Sequence, residues 1–189
     1  YTTLFRSHLG MTLPRPKAIV VVSAHWYTRG TGVTAMEQPK TIHDFGGFPQ
    51  ALYDTHYPAP GSPMLARKLV DLLSPVPVAL DEEAWGFDHG SWGVLIKMYP
   101  DADIPMVQLS IDSTKPAAWH FEMGRKLASL RDEGFLLVAS GNVVHNLRTA
   151  RWHGENTPYP WATAFNDVVK ANLTWQGPIE QHPLVNYLQ

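Results

Sequence analysis

The sequence predicts an α/β fold: a mostly parallel central sheet with helices on both faces. Three observations carry that expectation. Two apolar runs, Ile19 to Val22 and Phe135 to Val138, lack the polar alternation of a half-exposed strand and read as strands buried on both faces. Segments of helical periodicity separate the strand candidates, the pattern of crossovers between parallel strands. The first run, inside KAIVVVSAHW, delivers His25 at its carboxyl end, where open α/β sheets collect ligands.

Residues 1 to 16 carry no clear pattern, but Met11 to Pro16, MTLPRP, forbids a helix running straight into the first strand. Thr28 to Lys40 is turn-rich, with a short strand near Val33 to Met36. Thr41 to Pro63 is a long loop crowded with aromatics, glycines and prolines, and it contains His43, Asp44 and His56. Loops of that length are functional or disordered, and the aromatic content argues against disorder. Ser62 followed by Pro63 is a helix start, with Leu65, Leu69, Leu72 and Leu73 at helical spacing behind it. Val76 to Leu80 reads as a short strand, Asp81 to Gly93 as a polar and aromatic loop, and Val94 to Tyr99 as a short helix. Pro105 to Ile111 is the next strand. Lys115 to Asp132 is an amphipathic helix burying Phe121, Leu127 and Leu130, ended by Gly134. Phe135 to Ser140 is a strand, Pro160 to Leu173 a helix, and Pro183 to Gln189 the start of another.

At 189 residues the chain supports one core and a single domain over 1–189. Nothing in it approaches a signal peptide or a membrane span, so a soluble, cytoplasmic protein is expected. With no cysteine, any metal must rest on imidazole and oxygen ligands. A formal charge of −2 with dispersed basic residues gives no footprint for nucleic acid, which leaves a small molecule as the expected partner.

Most of the nine histidines are expected to be surface or satisfied core residues, and His8, His120, His153 and His182 are assigned so. His25 and His145 stand apart. Each follows a buried strand and a stretch of small residues, so one shared pocket is the economical expectation. His89, in DHGSWG, is an acid–base or substrate-anchoring candidate, with a loop-bracing bond to Asp88 as the competing reading. His43 and His56 would belong to a lid or a dimer contact. Trp26, Trp85, Trp92 and Trp161 could line a pocket for a planar ring or serve as packing. Asp44, Asp88 and Asp112 could orient imidazoles or cap turns.

With VVSAHW, IHDFGGFP, YPAPGSP, FDHGSWG and GNVVHNL in that order, the chain closely resembles the LigB-type extradiol ring-cleavage dioxygenases, in particular their bacterial 4,5-DOPA subgroup. The resemblance covers nearly every residue after Leu9. It implies a non-haem metal enzyme that opens a catechol ring next to its paired hydroxyls with dioxygen, using Fe(II) for activity, with Zn(II) as another bound species. It implies His25 as a metal ligand. It implies His145 as the pocket histidine assigned to acid–base catalysis or to the metal. As a base, His145 would take a proton from the catechol and return it as oxygen enters the ring, while His89 would hold a substrate oxygen.

The chain departs from that family pattern in two places. Family members open with a GHGSP-like segment carrying another metal ligand, for which SHLG at His8 is no substitute, and a third ligand normally lies beyond the position of Gln189. The expectation is therefore an internal fragment, incomplete at both ends, that holds iron weakly and is inactive alone. Two other readings stand beside the dioxygenase: a zinc-binding hydrolase on the same scaffold, and a non-catalytic, Memo-like interaction module.

Overall fold

The computed structural model describes residues 2–151 and 157–187. The chain divides into two compact units, Tyr1–Lys115 with Met123–Gly141, and Pro116–Glu122 with Asn142–Gln189. The first holds the whole sheet.

In chain order, the elements of the first unit open with helix α1 (Thr2–Thr12), which stops ahead of LPRP as the prolines require. Strands β1 (Ile19–Thr28) and β2 (Thr31–Thr34) follow, then the short helix α2 (Gln50–Tyr53) and helix α3 (Pro63–Leu73). Strand β3 (Val78–Asp81), helix α4 (His89–Met98) and strand β4 (Met106–Asp112) lead to helix α5 (Ala117–Leu127), whose first half clusters with the second unit, and to strand β5 (Leu136–Ser140). The sheet order is β3-β2-β4-β1-β5. Three of its four junctions are parallel, while β2 meets β4 antiparallel through Val33 and Leu109. That single reversal is what makes the sheet mostly rather than wholly parallel.

β4 is the central strand, and β1 lies between it and β5 with Ile19, Val20 and Val21 essentially inaccessible. The expected end of β1 at Val22 is a pairing break and not a terminus. From Val22 to Tyr27 the strand advances five residues while its partners on β4 advance two, from Leu109 to Ile111. Residues 23 to 26 therefore bulge away from β4, although Ser23 still pairs Ser140 on β5. Bulges of this kind re-aim side chains beside functional sites. This one carries His25.

α3 matches its expectation closely. Ser62 is the N-cap, its side chain accepting from the backbone N–H of Leu65 at 3.2 Å, and Leu65, Leu69 and Leu73 are buried. Ser62→Ala is expected to cost about 1 kcal/mol, seen as a Tm lower by roughly 2–4 °C; an unchanged Tm would show that the cap bond contributes nothing. β2 lies two residues before its expected place at Val33 to Met36. α5 ends sooner than expected, passing into a 3-10 turn at Ala128–Arg131, and Phe121 is half-buried while Leu127 and Leu130 are buried. Gly134 closes that segment with φ +86°, a conformation that favours glycine. Around the sheet, Tyr57, Phe87, Trp92 and Leu95 pack with Ile19, Val21 and Met106 in one apolar cluster. Tyr57 donates to the carbonyl of Tyr99 at 2.9 Å, and burial holds its hydroxyl well above the ordinary tyrosine pKa.

In the second unit, helix α6 (Pro160–Asn172) starts at the proline that the sequence marks. His182 is buried beside Phe121 and Trp175, with its Nδ1 accepting from the N–H of Leu184 at 3.1 Å, so it is a satisfied core histidine. His120 donates from Nδ1 to the carbonyl of Pro116. The helix expected from Pro183 is a run of turns through residue 187, and His153 lies outside the described residues. Among the described residues no helix is long and apolar enough to cross a membrane.

Candidate metal centre

Three segments of the first unit converge on His25. One is the β1 bulge itself. Another is the start of α4, which begins at His89, five residues before its expected position. Asp88 sets that start: it is the N-cap, fully buried, and its carboxylate accepts from the N–H and the hydroxyl of Ser91 at 3.0 and 3.2 Å. Gln108 on β4 locks the cap in place. Its amide donates to Asp88, and its carbonyl oxygen accepts from the Ser91 hydroxyl at 2.7 Å and from the Asp88 N–H at 3.2 Å. The glycine-rich DHGSWG thus reads as a loop by propensity but folds as a capped helix, because the cap is anchored by a buried side chain from another strand.

The remaining segment is the loop that starts at Thr41. Backbone bonds from Phe87 to Lys40 and from Ile42 to Phe87, at 2.9 and 2.7 Å, tie it alongside the start of α4. The indole of Trp92 donates to the carbonyl of Ile42 at 2.8 Å. Asp44 is held in consequence against both histidines.

Asp44 is the hub. Its Oδ1 accepts from the backbone N–H of His89 at 2.9 Å and lies 2.8 Å from His89 Nδ1, while its Oδ2 lies 3.2 Å from His25 Nδ1. The two imidazole centroids are 4.0 Å apart. Burial alone would raise the Asp44 pKa, but the N–H and ring of His89 outweigh it and hold the carboxyl below its ordinary value. The ionised carboxylate accepts from His89 Nδ1 and faces His25 Nδ1, which fixes the His89 tautomer and leaves its Nε2 with a lone pair, the arrangement that carboxylates impose on metal-binding histidines. The His25 and His89 side chains are 35 % and 32 % exposed and Asp44 16 %, so the rings are reachable while the carboxylate is shielded.

His25, Asp44 and His89 can each offer one ligand atom, all within 4.8 Å of one another. Two imidazoles with a carboxylate behind them suit Fe(II) or Zn(II). The residues therefore fit a divalent metal.

The sequence pairs His25 with His145; within the first unit the cluster joins His25 to His89 through Asp44. His145 belongs to the second unit, exposed in the turns after β5. The bracing partner of His89 is Asp44 and not Asp88, whose carboxylate is spent on the helix cap. Asp112 caps a turn, accepting from Thr114 and Gly30, which hold its pKa below the ordinary value. His43 donates to the carbonyl of Thr55 at 2.8 Å and packs edge-on against His56 and Phe45, so it braces the aromatic loop. Trp26 and Trp85 stack on each other with rings 2° from parallel, Trp92 is core, and Trp161 is half-exposed in the second unit. Sequence reasoning had no means to rank Asp44 above the other two aspartates, and it overlooked Gly90. A Cβ on Gly90 would sit 2.3 Å from Ser23 Oγ and 3.0 Å from the His25 ring, so only glycine lets α4 approach the bulge.

Known proteins resemble this chain along most of its length. The family model of the catalytic LigB subunit of aromatic ring-opening dioxygenase matches residues 7–181. A 4,5-DOPA dioxygenase extradiol of Escherichia coli (strain K12) is 86 % identical over 180 residues, 95 % of this chain and 66 % of that protein. One of Beta vulgaris is 42 % identical over 162 residues, 85 % of this chain and 60 % of its own length. The chain thus spans less than two thirds of either relative. A crystal structure of an uncharacterized protein from Escherichia coli K12 superposes with a TM-score of 0.87 at 77 % identity, covering 98 % of this chain and 71 % of that one. With the match running through the whole sheet and the segments that carry His25, Asp44 and His89, the chain belongs to the LigB family of aromatic ring-opening dioxygenases.

Proposed function

We propose that this chain carries the chemistry of an extradiol dioxygenase, opening the ring of a catechol such as DOPA with dioxygen and a divalent metal, Fe(II) for turnover. The observation that carries the reading is the pair of imidazoles fixed on one carboxylate at the bulge of β1. A binding module has no need of two half-exposed imidazoles gathered on one shielded carboxylate.

In this reading His25 holds the metal through the nitrogen that Asp44 leaves free, and Asp44 sets the direction of that lone pair. His89, on the same carboxylate, is placed to join it or to hold a substrate oxygen. Ferrous ion, when bound, supplies the redox step with dioxygen and lowers the pKa of a catechol hydroxyl. His145 would be the base that accepts the released proton and gives it back to the product, with the metal as its other assignment. The same donor set takes zinc at least as readily as ferrous iron, so zinc on the purified protein would not argue against the activity.

The test is anaerobic loading with Fe(II), then DOPA and air. A yellow ring-opened product is expected from a full-length relative treated so, and in it the change equivalent to His145→Ala should lower the rate about 10²- to 10⁴-fold while zinc affinity stays within a few-fold. Equal loss of rate and metal would make His145 a ligand. Absence of cleavage of any catechol, in this chain and in a full-length relative treated alike, would leave the interaction module as the better reading.

A further inference from the structure

Gln108 touches both of the elements that carry the two imidazoles. Its backbone lies level with Val21 of β1, and the next pair, Val22 with Leu109, is the last before the bulge that presents His25. Its side chain reaches the start of α4, where the amide donates to the Asp88 carboxylate and the amide oxygen accepts from the Asp88 N–H at 3.2 Å and from the Ser91 hydroxyl at 2.7 Å. On β2, the Thr34 hydroxyl accepts from the Gln108 N–H at 2.9 Å. Thr34, Asp88, Ser91 and Gln108 are all essentially inaccessible, so none of these groups can turn to water instead. A mismatch of donor and acceptor here carries the full cost of an unmet buried polar group. The contacts also fix which way the amide faces. Its oxygen already takes two donors, so its NH₂ must face Asp88, and each hydrogen-bond partner of that carboxylate is a donor. His89 follows Asp88 directly. The seat of the cap therefore decides where the His89 N–H and ring nitrogen meet Asp44, at 2.9 and 2.8 Å.

We propose that Gln108 is a positioning residue of the metal centre: its buried amide sets His89 against Asp44 and, because its own strand pairs with β1, sets both relative to His25. The polarity of the amide carries the effect, and its volume alone does not. The proposal rests on the metal reading only where zinc affinity is the measure.

The experiment reverses the pair. In Asp88→Asn/Gln108→Glu the amide moves to the cap and the carboxylate to β4, with the total charge unchanged. Each hydrogen bond then has a counterpart: the cap amide donates to the new carboxylate, the cap oxygen still accepts from the Ser91 N–H, and the carboxylate accepts from the N–H of position 88 and from the Ser91 hydroxyl. Each single change sets like against like, amide against amide in Asp88→Asn and carboxylate against carboxylate in Gln108→Glu. The measures are the ring-nitrogen NMR shifts of His89 in the metal-free chain and zinc affinity by competition with a chelator. Both single variants should move the His89 signals toward those of an unconstrained imidazole and weaken zinc about 10-fold. The double variant should return the signals to their wild-type positions and zinc affinity to within about threefold. A merely structural role would lower Tm without moving the ring signals of the folded protein. Should a single variant fail to fold, Ser91→Ala removes only the hydroxyl that both partners share, and a smaller displacement in the same direction is expected from it. Unmoved His89 signals in whichever of these single variants fold, or a folded double variant whose signals stay displaced, overturn the proposal. Signals that move and return while neither this chain nor a full-length relative binds zinc leave the Gln108 assignment standing and remove the metal reading.

Discussion

Replacing Asp44 by alanine is expected to weaken divalent-metal binding about 10- to 100-fold, the range found when the outer partner of a ligating histidine is removed. The carboxylate serves both imidazoles and the N–H of His89 at once, so its loss frees two rings to rotate and to change tautomer. The same substitution takes an acceptor from the first turn of α4 and should cost about 1 kcal/mol of stability. Asp44→Asn separates the two effects. An amide keeps one oxygen acceptor but turns an NH₂ toward the other ring, so it can satisfy one imidazole and not both. Intermediate zinc affinity, measured by competition with a chromogenic chelator, is the expected result, together with a changed ring-nitrogen chemical shift at one histidine only. The pH dependence has a definite sign. Because the folded value lies below the unfolded one, the stabilisation is present above the ordinary carboxylate range and is lost as pH falls through the depressed value. Zinc affinity of Asp44→Ala within twofold of the wild type would remove Asp44 from the centre.

The parts of this fold that could be read in the sequence are those whose signals are local. β1 begins with a β-branched run that no helix would choose, α3 with Ser62 and Pro63, and α6 with Pro160, and each of those starts lies where expected or within two residues of it. What could not be read depends on pairings between distant segments. The extension of β1 to Thr28 arises because it follows β4 and β5 at different registers, and no run of residues announces a bulge of that size. The early start of α4 needs Gln108, twenty residues away, to fix Asp88. Asp44 was recognisable as able to orient an imidazole or cap a turn, but only the tie between the Thr41 loop and Phe87 selects the first role, across 45 residues. His25 could be singled out because position at a strand's end is partly a sequence property. Its neighbours could not, because adjacency is a property of the fold.

Alanine at Gly90 and alanine at Gly93 should move stability in opposite directions, although both lie in the first half of α4. At Gly93 a Cβ meets nothing within 4 Å, so alanine should gain about 0.5–1 kcal/mol from reduced backbone freedom in the unfolded chain. At Gly90 the same gain is opposed by a contact of 2.3 Å with Ser23 Oγ. That hydroxyl cannot swing away freely, because Ser23 is fully buried and its oxygen accepts from the N–H of His25 at 3.2 Å. Overpacking of this kind costs about 1–3 kcal/mol, so the expected outcome is a net loss of about 1–2 kcal/mol and a Tm lower by several degrees. The Cβ would also press on the His25 ring, so zinc affinity should fall with stability, whereas Gly93→Ala should leave it unchanged. The double variant Ser23→Ala/Gly90→Ala isolates the cause. Removing the hydroxyl opens the space the Cβ needs, so thermal melts of the four proteins in the cycle should give a favourable coupling above about 0.5 kcal/mol. A Gly90→Ala protein as stable as the wild type would mean that α4 does not press on the bulge, and that the separation of His25 and His89 is set by Asp44 alone.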